Sequence, residues 1–403
     1  MKTITCLAMA FATLACAGGQ LRAETRYTPS ADISVMGGQY FFDSAPASLR
    51  LKADGFFSPA IQFENGSQLV PIFTGYYSGM QDVREIAGGN VLTRERMGQT
   101  IATKYIIPHN EFDKYKLRAS YGWDFVKETA NEKWGNGLFN YKTFSVGAES
   151  AYEKYWGSFF LAYDYVDVQY PNYSSLVSQS QVVLDTTTFS ELSQNAGSKV
   201  LNNRTHRVEA GTTVLGEKYT MEALYSVGYM RYPYQSVVNS LGAFTTDKRH
   251  DWLQNALLRG NFDLKPLLLT FTLHGAANAS NQNSYDAART KYVADFYSYN
   301  EIGAGPMFSV ELPSKFMLYL STDWTRRFYT GRLTQDVNGN YGDSKINQTT
   351  WLSMVTVRYP VAEHFFAKAS FSYLTASSNM AYEAYYRYNY SANTYAFGME
   401  WRL

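Results

Sequence analysis

The sequence predicts an all-β chain: a transmembrane, antiparallel, up-and-down β-barrel of about sixteen strands. Three observations carry that expectation. Apolar residues alternate with polar or small ones over stretch after stretch, a period of two that belongs to strands. Short and long connections between those stretches alternate along the chain, as they do in an up-and-down barrel and not in a Greek-key sandwich. The composition is aromatic-rich (16%, with 34 tyrosines) and charge-poor (18%), below the quarter that soluble domains carry.

The strands can be placed in order. The first half of the chain gives 31–42, 48–62, 68–79, 99–108, 114–127, 140–151, 157–169 and 204–214. The second half gives 219–232, 248–262, 267–277, 292–310, 316–330, 347–360, 365–377 and 389–403. The pattern is clearest in YKLRASYGWDF, where Tyr115, Leu117, Ala119, Tyr121, Trp123 and Phe125 share one face and Lys116, Arg118 and Asp124 the other. Pro59 and Pro71 interrupt the first three strands, so fourteen strands is the alternative count. Turns at 64–68, 109–113, 216–218, 263–266, 312–315 and 361–364 are short. The segments 80–98, 128–139, 171–203, 233–247, 278–291, 331–346 and 378–388 read as long outer loops.

Several faces end in aromatic side chains, among them Trp123, Phe125, Trp252, Phe262, Trp324, Trp351, Tyr359, Tyr395 and Trp401. Rings of this kind sit where lipid headgroups meet hydrocarbon. Sixteen such faces turned toward one soluble core would leave a very large surface with too few charges. In lipid every backbone N–H and C=O must also be paired, which closure of the sheet achieves.

The N-terminus reads as an export signal. Lys2 precedes an apolar run from Ile4 to Ala17, followed by small and polar residues, the three parts of a secretory signal peptide. Cleavage is expected after Ala23, with Ala17 as the alternative, so that 1–23 is signal and 24–403 the barrel. Both cysteines, Cys6 and Cys16, fall inside this segment, which leaves the mature chain without a disulfide framework or a thiolate metal site. Thr13-Leu14-Ala15-Cys16 departs from a lipoprotein cleavage site at its first position. Lysine plus arginine (36) nearly balances aspartate plus glutamate (35), so no nucleic-acid surface is implied.

The last ten residues, TYAFGMEWRL, put Tyr395, Phe397, Met399, Trp401 and Leu403 on one face. Gly398-x-x-Trp401-x-Leu403 resembles the terminal β-signal of bacterial outer-membrane barrel proteins of the porin-like class. Ala396 stands where that signal has a polar residue and Leu403 where it has an aromatic one. The resemblance implies the outer membrane of a Gram-negative bacterium, surrounding lipid and lipopolysaccharide, and recognition of Gly398, Trp401 and Leu403 by the barrel assembly machinery. A homotrimer is compatible with it, although no strand displays a flat apolar patch that interrupts the aromatic girdle.

The alternation turns a set of charges inward: Arg50, Lys52, Lys104, Lys116, Arg118, Arg207, Arg259, Arg327, Arg358, Lys368 and Arg402, against Asp54, Asp124, Glu149, Asp164, Glu209, Glu222, Asp295, Glu301, Asp323 and Glu400. Such a lining tunes which solutes pass a water-filled lumen, and pairing across strands would serve the structure equally. The near-balance of signs argues against strong ion selectivity. The Ser-, Thr-, Gln- and Asn-rich loop 171–203 either narrows the mouth or lies exposed, with a short helix over 186–196. Tyr297, Tyr299 and Tyr319 are also expected on the inner side. Among the five histidines, His109 and His364 fall at short turns, His206 and His250 near outer strand ends, and His274 on the inner face. His250 and Asp251 are adjacent on a strand and so point to opposite faces. No HExxH, GxSxG or P-loop occurs, so no catalytic residue, metal site or cofactor is expected. The functional expectation is a channel for passive diffusion of small polar solutes. The alternative is a barrel that exports or binds a polymer such as an exopolysaccharide through its outer loops.

Overall fold

The computed structural model describes residues 26–43, 47–84, 91–129, 131–173, 199–286, 289–383 and 387–403. The export signal with its two cysteines, the core of loop 171–203 with the helix expected over 186–196, and parts of 80–98 and 378–388 lie outside the described residues. Sixteen strands form one closed antiparallel barrel. They are β1 (Ala31–Phe42), β2 (Ser48–Phe57), β3 (Gln68–Arg84), β4 (Val91–Pro108), β5 (Asp113–Lys127), β6 (Tyr141–Lys154), β7 (Gly157–Gln169) and β8 (Asn203–Leu215). The second half comprises β9 (Tyr219–Val238), β10 (Phe244–Leu264), β11 (Leu267–Ser280), β12 (Tyr299–Glu311), β13 (Met317–Gln335), β14 (Tyr341–Ala362), β15 (Phe365–Ser378) and β16 (Tyr390–Arg402). Each pairs with its sequence neighbours, and β16 closes on β1 from Asp32 opposite Arg402 to Phe42 opposite Ala392.

The prolines do not cost a strand. The register that pairs Phe57 with Phe73 would set Pro59 against Pro71, two residues with no N–H to donate. The ladder breaks there, and the Ser58 hydroxyl donates to the Pro71 carbonyl at 3.0 Å instead. The strand resumes in the same register over Ala60–Gln62, which also pairs with the short strand Arg26–Thr28.

The strands are strongly tilted. One row of partners leaves β1 at Asp32 near its lower end. It passes through Phe56, Thr74, Thr100, Gly122, Thr143 and Val168 and arrives at Asn203, the upper end of β8. Half a circuit thus climbs most of the barrel height, and the full circuit amounts to a stagger of about 20 residues. With ~3.3 Å per residue and ~4.8 Å between strands, this gives a tilt of roughly 40° and a backbone radius of about 16 Å.

Two faces follow from the period of two. The outer one carries Leu49, Leu117, Val208, Ile302, Phe397 and Met399, all among the most exposed large apolar side chains. In a soluble protein such exposure would be untenable; facing hydrocarbon it is the stable arrangement. The aromatics that the sequence places at strand ends stack there, as in Tyr229 on Trp252 and Phe316 on Tyr359.

The outer connections differ from expectation. Segments 80–98, 233–247 and 331–346 are largely strand, not loop. β9 and β10 run for 20 and 21 residues and β13 and β14 for 19 and 22, against 13 in β7, β8 and β16. Thirteen residues at this tilt rise roughly 33 Å and cross the hydrocarbon, so the long pairs stand some 20 Å above it. The expected strand 292–310 begins only at Tyr299; ahead of it, Ser284–Asp286 and Lys291–Val293 form a separate hairpin.

That hairpin ties the tall strands together. Gln282 donates to the Ser236 carbonyl at 3.0 Å, Asn283 to the Val238 carbonyl at 2.8 Å, and the Tyr341 hydroxyl to Asp286 at 3.2 Å. Burial would raise the Asp286 carboxyl, yet hydrogen bonds from Arg289 and Tyr341 hold it below its ordinary range. Beside it Ile346, Met380 and Tyr388 pack with Tyr329 and Tyr382 into an apolar core, the one such cluster among the described residues.

The closing seam is tight. A Cβ on Gly38 would stand 1.8 Å from the Tyr395 carbonyl oxygen, and one on Gly398 2.0 Å from that of Val35, whereas Gly37 has open space on the lipid side, with nothing nearer than 3.9 Å. We expect Gly38→Val to destabilise the barrel by about 2 kcal/mol through overpacking, and Gly37→Ala to stay within about 0.5 kcal/mol of the parent. Urea unfolding in lipid vesicles, followed by tryptophan fluorescence, checks both.

Candidate functional site

The candidate site is the inner wall, because the period-two pattern gathers the charges there. Partners across an antiparallel ladder share a face. One row runs Lys116, Glu149, Ala162, Glu209, Ser226, Asn255, Ala276, Glu301, Arg327 and Gln348. The face opposite it is the exposed apolar one. Arg118, Asp124, Asp164, Arg207, Glu222, Arg259, Asp323, Arg358, Lys368, Glu400 and Arg402 fall on the same side as that row, as do Arg50, Lys52, Asp54 and Lys104. Tyr299 and Tyr319 do as well. Asp295 does not: it sits in the turn before β12 with φ 51°, its N–H donating to the Asn283 side chain at 3.1 Å. The expected strand started too early, and a turn residue was read as part of a face.

On β5 to β8 the charges form a continuous ladder. Glu149 accepts from Lys116 at 2.7 Å and from Arg118 at 3.1 Å. Asp164 in turn accepts from Arg118 and from Arg207, both at 3.0 Å, and Lys114 pairs with Glu153 at the lower end. Glycine makes room for it: a Cβ on Gly147, between Arg118 and Asp164 in the row, would lie 2.0 Å from the Asp164 carboxylate. Above this ladder, Arg96 lies against the rings of Tyr76 and Tyr141, and both Tyr76 and Arg96 reach Asp124.

The other walls carry shorter arrangements. Arg259 pairs with Glu222 at 3.2 Å, and Arg327 with Glu301 at 2.7 Å while its guanidinium covers the Tyr299 ring at 4.3 Å. His274 stands 3.9 Å from Asp323, whose carboxylate also accepts from the Thr325 hydroxyl at 3.0 Å. At the seam, Glu400 is only 4% exposed and takes three cations: Arg358 at 2.7 Å, Lys368 at 2.9 Å and Arg402 at 3.1 Å. Arg402 also reaches Asp32 at 2.9 Å. Glu209 has no ion pair among the described residues.

His250 and Asp251 do point apart. His250 stacks on Tyr229 outside, while buried Asp251 accepts from Arg249 at 2.7 Å and from the Ser280 hydroxyl. The Arg249 guanidinium is sandwiched between Tyr232 and Tyr297, at 4.3 and 4.2 Å. This polar knot braces the tall strands and was not anticipated from sequence; the alternation that flags membrane strands carries no signal for it. Among the described residues no group of acids, histidines or cysteines could hold a metal ion.

Gly398 and Trp401 lie on the closing strand, and Leu403 directly follows it. Trp401 and Leu403 face outward with Phe397 and Met399, and the Leu403 N–H donates to the Ala31 carbonyl at 2.9 Å. Gly398 has a structural reason of its own, the contact with β1 described above.

A closed sixteen-stranded sheet with an apolar outer band places the chain in the outer membrane of a Gram-negative bacterium. The sequence matches no protein-family model and no curated protein. Among solved structures it is similar to in-vitro folded OmpT of Vibrio cholerae in a trimer form, at 11% identity and TM-score 0.47 over 94% of this chain and 99% of that one. It is also similar to OpdK of Pseudomonas aeruginosa, at 8% and 0.43 over 93% and 99%. CdiB of Acinetobacter baumannii gives 10% and 0.44 over 94% of this chain and 65% of that one. These are likenesses of architecture, and the barrel assignment rests on the closed pairing of the chain itself.

Glu400 and Glu209 separate structural from idle charge. Glu400→Gln strands three cations around a neutral amide and should cost about 3 kcal/mol, as for a broken buried pair. Glu209→Gln should change stability by no more than about 0.5 kcal/mol. The same vesicle unfolding assay reads both.

Proposed function

We propose that the protein is a passive, non-catalytic outer-membrane channel through which small polar solutes diffuse along a lumen of mixed charge. The observation that carries this reading is the size of the ring. Eight strands enclose a space that side chains fill, whereas sixteen to eighteen leave an aqueous channel. Here a backbone radius of about 16 Å encloses a wall of charged and hydroxyl side chains. Inner acids and bases nearly cancel, so selectivity between small cations and anions is weak. The last strand, with Gly398, Trp401 and Leu403, would be the segment handed to the barrel assembly machinery.

One observation favours a second reading, in which the outer surface binds a polymer or a partner. The tall hairpins and the Ile346–Met380–Tyr388 core form an organised extracellular structure, more than a channel rim requires.

Planar-bilayer recording distinguishes the two. The channel reading expects stable open conductance, with a reversal potential in a tenfold salt gradient no more than about 15 mV from zero; folded protein that never conducts would sink it. Shortening 281–298 to a tight turn should leave conductance within about twofold on the channel reading. Loss of surface ligand binding with conductance intact would support the second.

A further inference from the structure

Positive charge is not spread evenly round the inner wall. On the inner face of β5 to β8 four cations (Lys114, Lys116, Arg118 and Arg207) stand against five carboxylates (Asp124, Glu149, Glu153, Asp164 and Glu209). Across the seam, on β1, β2 and β14 to β16, five cations meet three. Glu400 is shared by Arg358, Lys368 and Arg402, Asp32 also engages Arg402, and Asp54 pairs with Lys52 at 2.9 Å. Arg50 is left with no carboxylate among the described residues; its guanidinium reaches only the Thr394 hydroxyl, at 3.4 Å.

This excess surrounds a recess of about 430 Å³ in the wall, where Arg50, Lys52 and Lys368 stand beside Met36, Leu352 and Met354. All six side chains lie on the inner face. The volume suits a small molecule. The charged and apolar groups interleave: Met36 lies between Lys368 and Lys52 in one row of partners, and Leu352 and Met354 stand on the strand beyond Lys368, so the recess offers two different interactions at once. A carboxylate would gain charge-assisted hydrogen bonds from Arg50, whose planar fork fits it in bidentate fashion. An apolar body attached to it would leave water against the methionines and the leucine. Inorganic anions would gain only the first interaction, sugars neither in full, and cations would be repelled.

We propose that this recess is a binding site for small organic monocarboxylates with an aliphatic or aromatic body, and that it favours their passage. The proposal deepens the channel reading and rests on it for the step from binding to passage. The binding itself stands apart from conduction.

The test uses folded full-length barrel in detergent micelles, with benzoate as probe and acetate and benzylamine as controls, measured by isothermal titration calorimetry. Benzoate should bind at least about tenfold more tightly than either control. Arg50→Gln should weaken it about tenfold. Lys368→Gln should weaken it about fivefold, a second variant should the first fold poorly. Lys104→Gln, an equal charge change on β4 outside the recess, should leave benzoate binding within about twofold. No benzoate binding, equal binding of benzylamine, or equal losses in the Arg50 and Lys104 variants would overturn the site. In parallel bilayer recordings, a conducting barrel whose benzoate affinity ignores Arg50 overturns the site and leaves the channel. A non-conducting barrel that binds benzoate through Arg50 overturns the channel and leaves the site.

Discussion

The structure depends on one constraint: in hydrocarbon, no backbone N–H or C=O can be left to water. A sheet satisfies it only by having no edge, and here the last strand removes the edge by pairing with the first over Asp32 to Phe42. Tilt, radius and the separation of two faces follow from that closure and its stagger. So does the crowding at Gly38 and Gly398, where neighbouring backbone approaches too closely for any side chain. Even the facing prolines fit, since the strand that holds Pro59 keeps its register across the break and loses none of the ring.

Closure also decides where charge goes. With the outer face surrendered to lipid, every second residue must turn inward, and charges brought together there need partners. The ladder from Lys116 through Glu149, Arg118 and Asp164 to Arg207 crosses four strands. Each carboxylate in it bridges two cations, so solvation inside the ring is supplied by the wall itself. At the seam the ratio differs. Three cations lean on Glu400, and Arg50 has a hydroxyl where a carboxylate would stand. The same physics that neutralises one wall leaves the other electropositive.

Beyond the membrane the rules change within a single strand. β10 and β14 begin as Phe244–His250 and Tyr341–Gln348, where neither face is continuously apolar, and become alternating only where they meet lipid. Above that level the strands are held by hydrogen bonds from the 281–298 segment, by Arg249 between two tyrosine rings, and by an apolar core. Among the described residues the apolar cluster thus stands above the membrane, and the inner face of the ring is a wall of charged and polar side chains.

The sequence by itself determined the sixteen strands, the face that residues within the membrane-level strands take, and the alternation of short and long connections. Lipid on one side and water on the other write a period of two directly into residue type, and that pattern is local. It held at Tyr115–Phe125 and at Tyr395–Leu403, and it failed at 233–247 and 331–346, where no lipid demands an apolar face and strands leave no such trace. Asp295 was misplaced for the same reason, the strand boundary there being set by a separate hairpin. Only the tertiary structure decided which acid meets which base, where Arg50 is left over, and that prolines at 59 and 71 oppose each other. Those depend on the stagger between strands far apart in the chain, a property of the closed ring that no single strand contains.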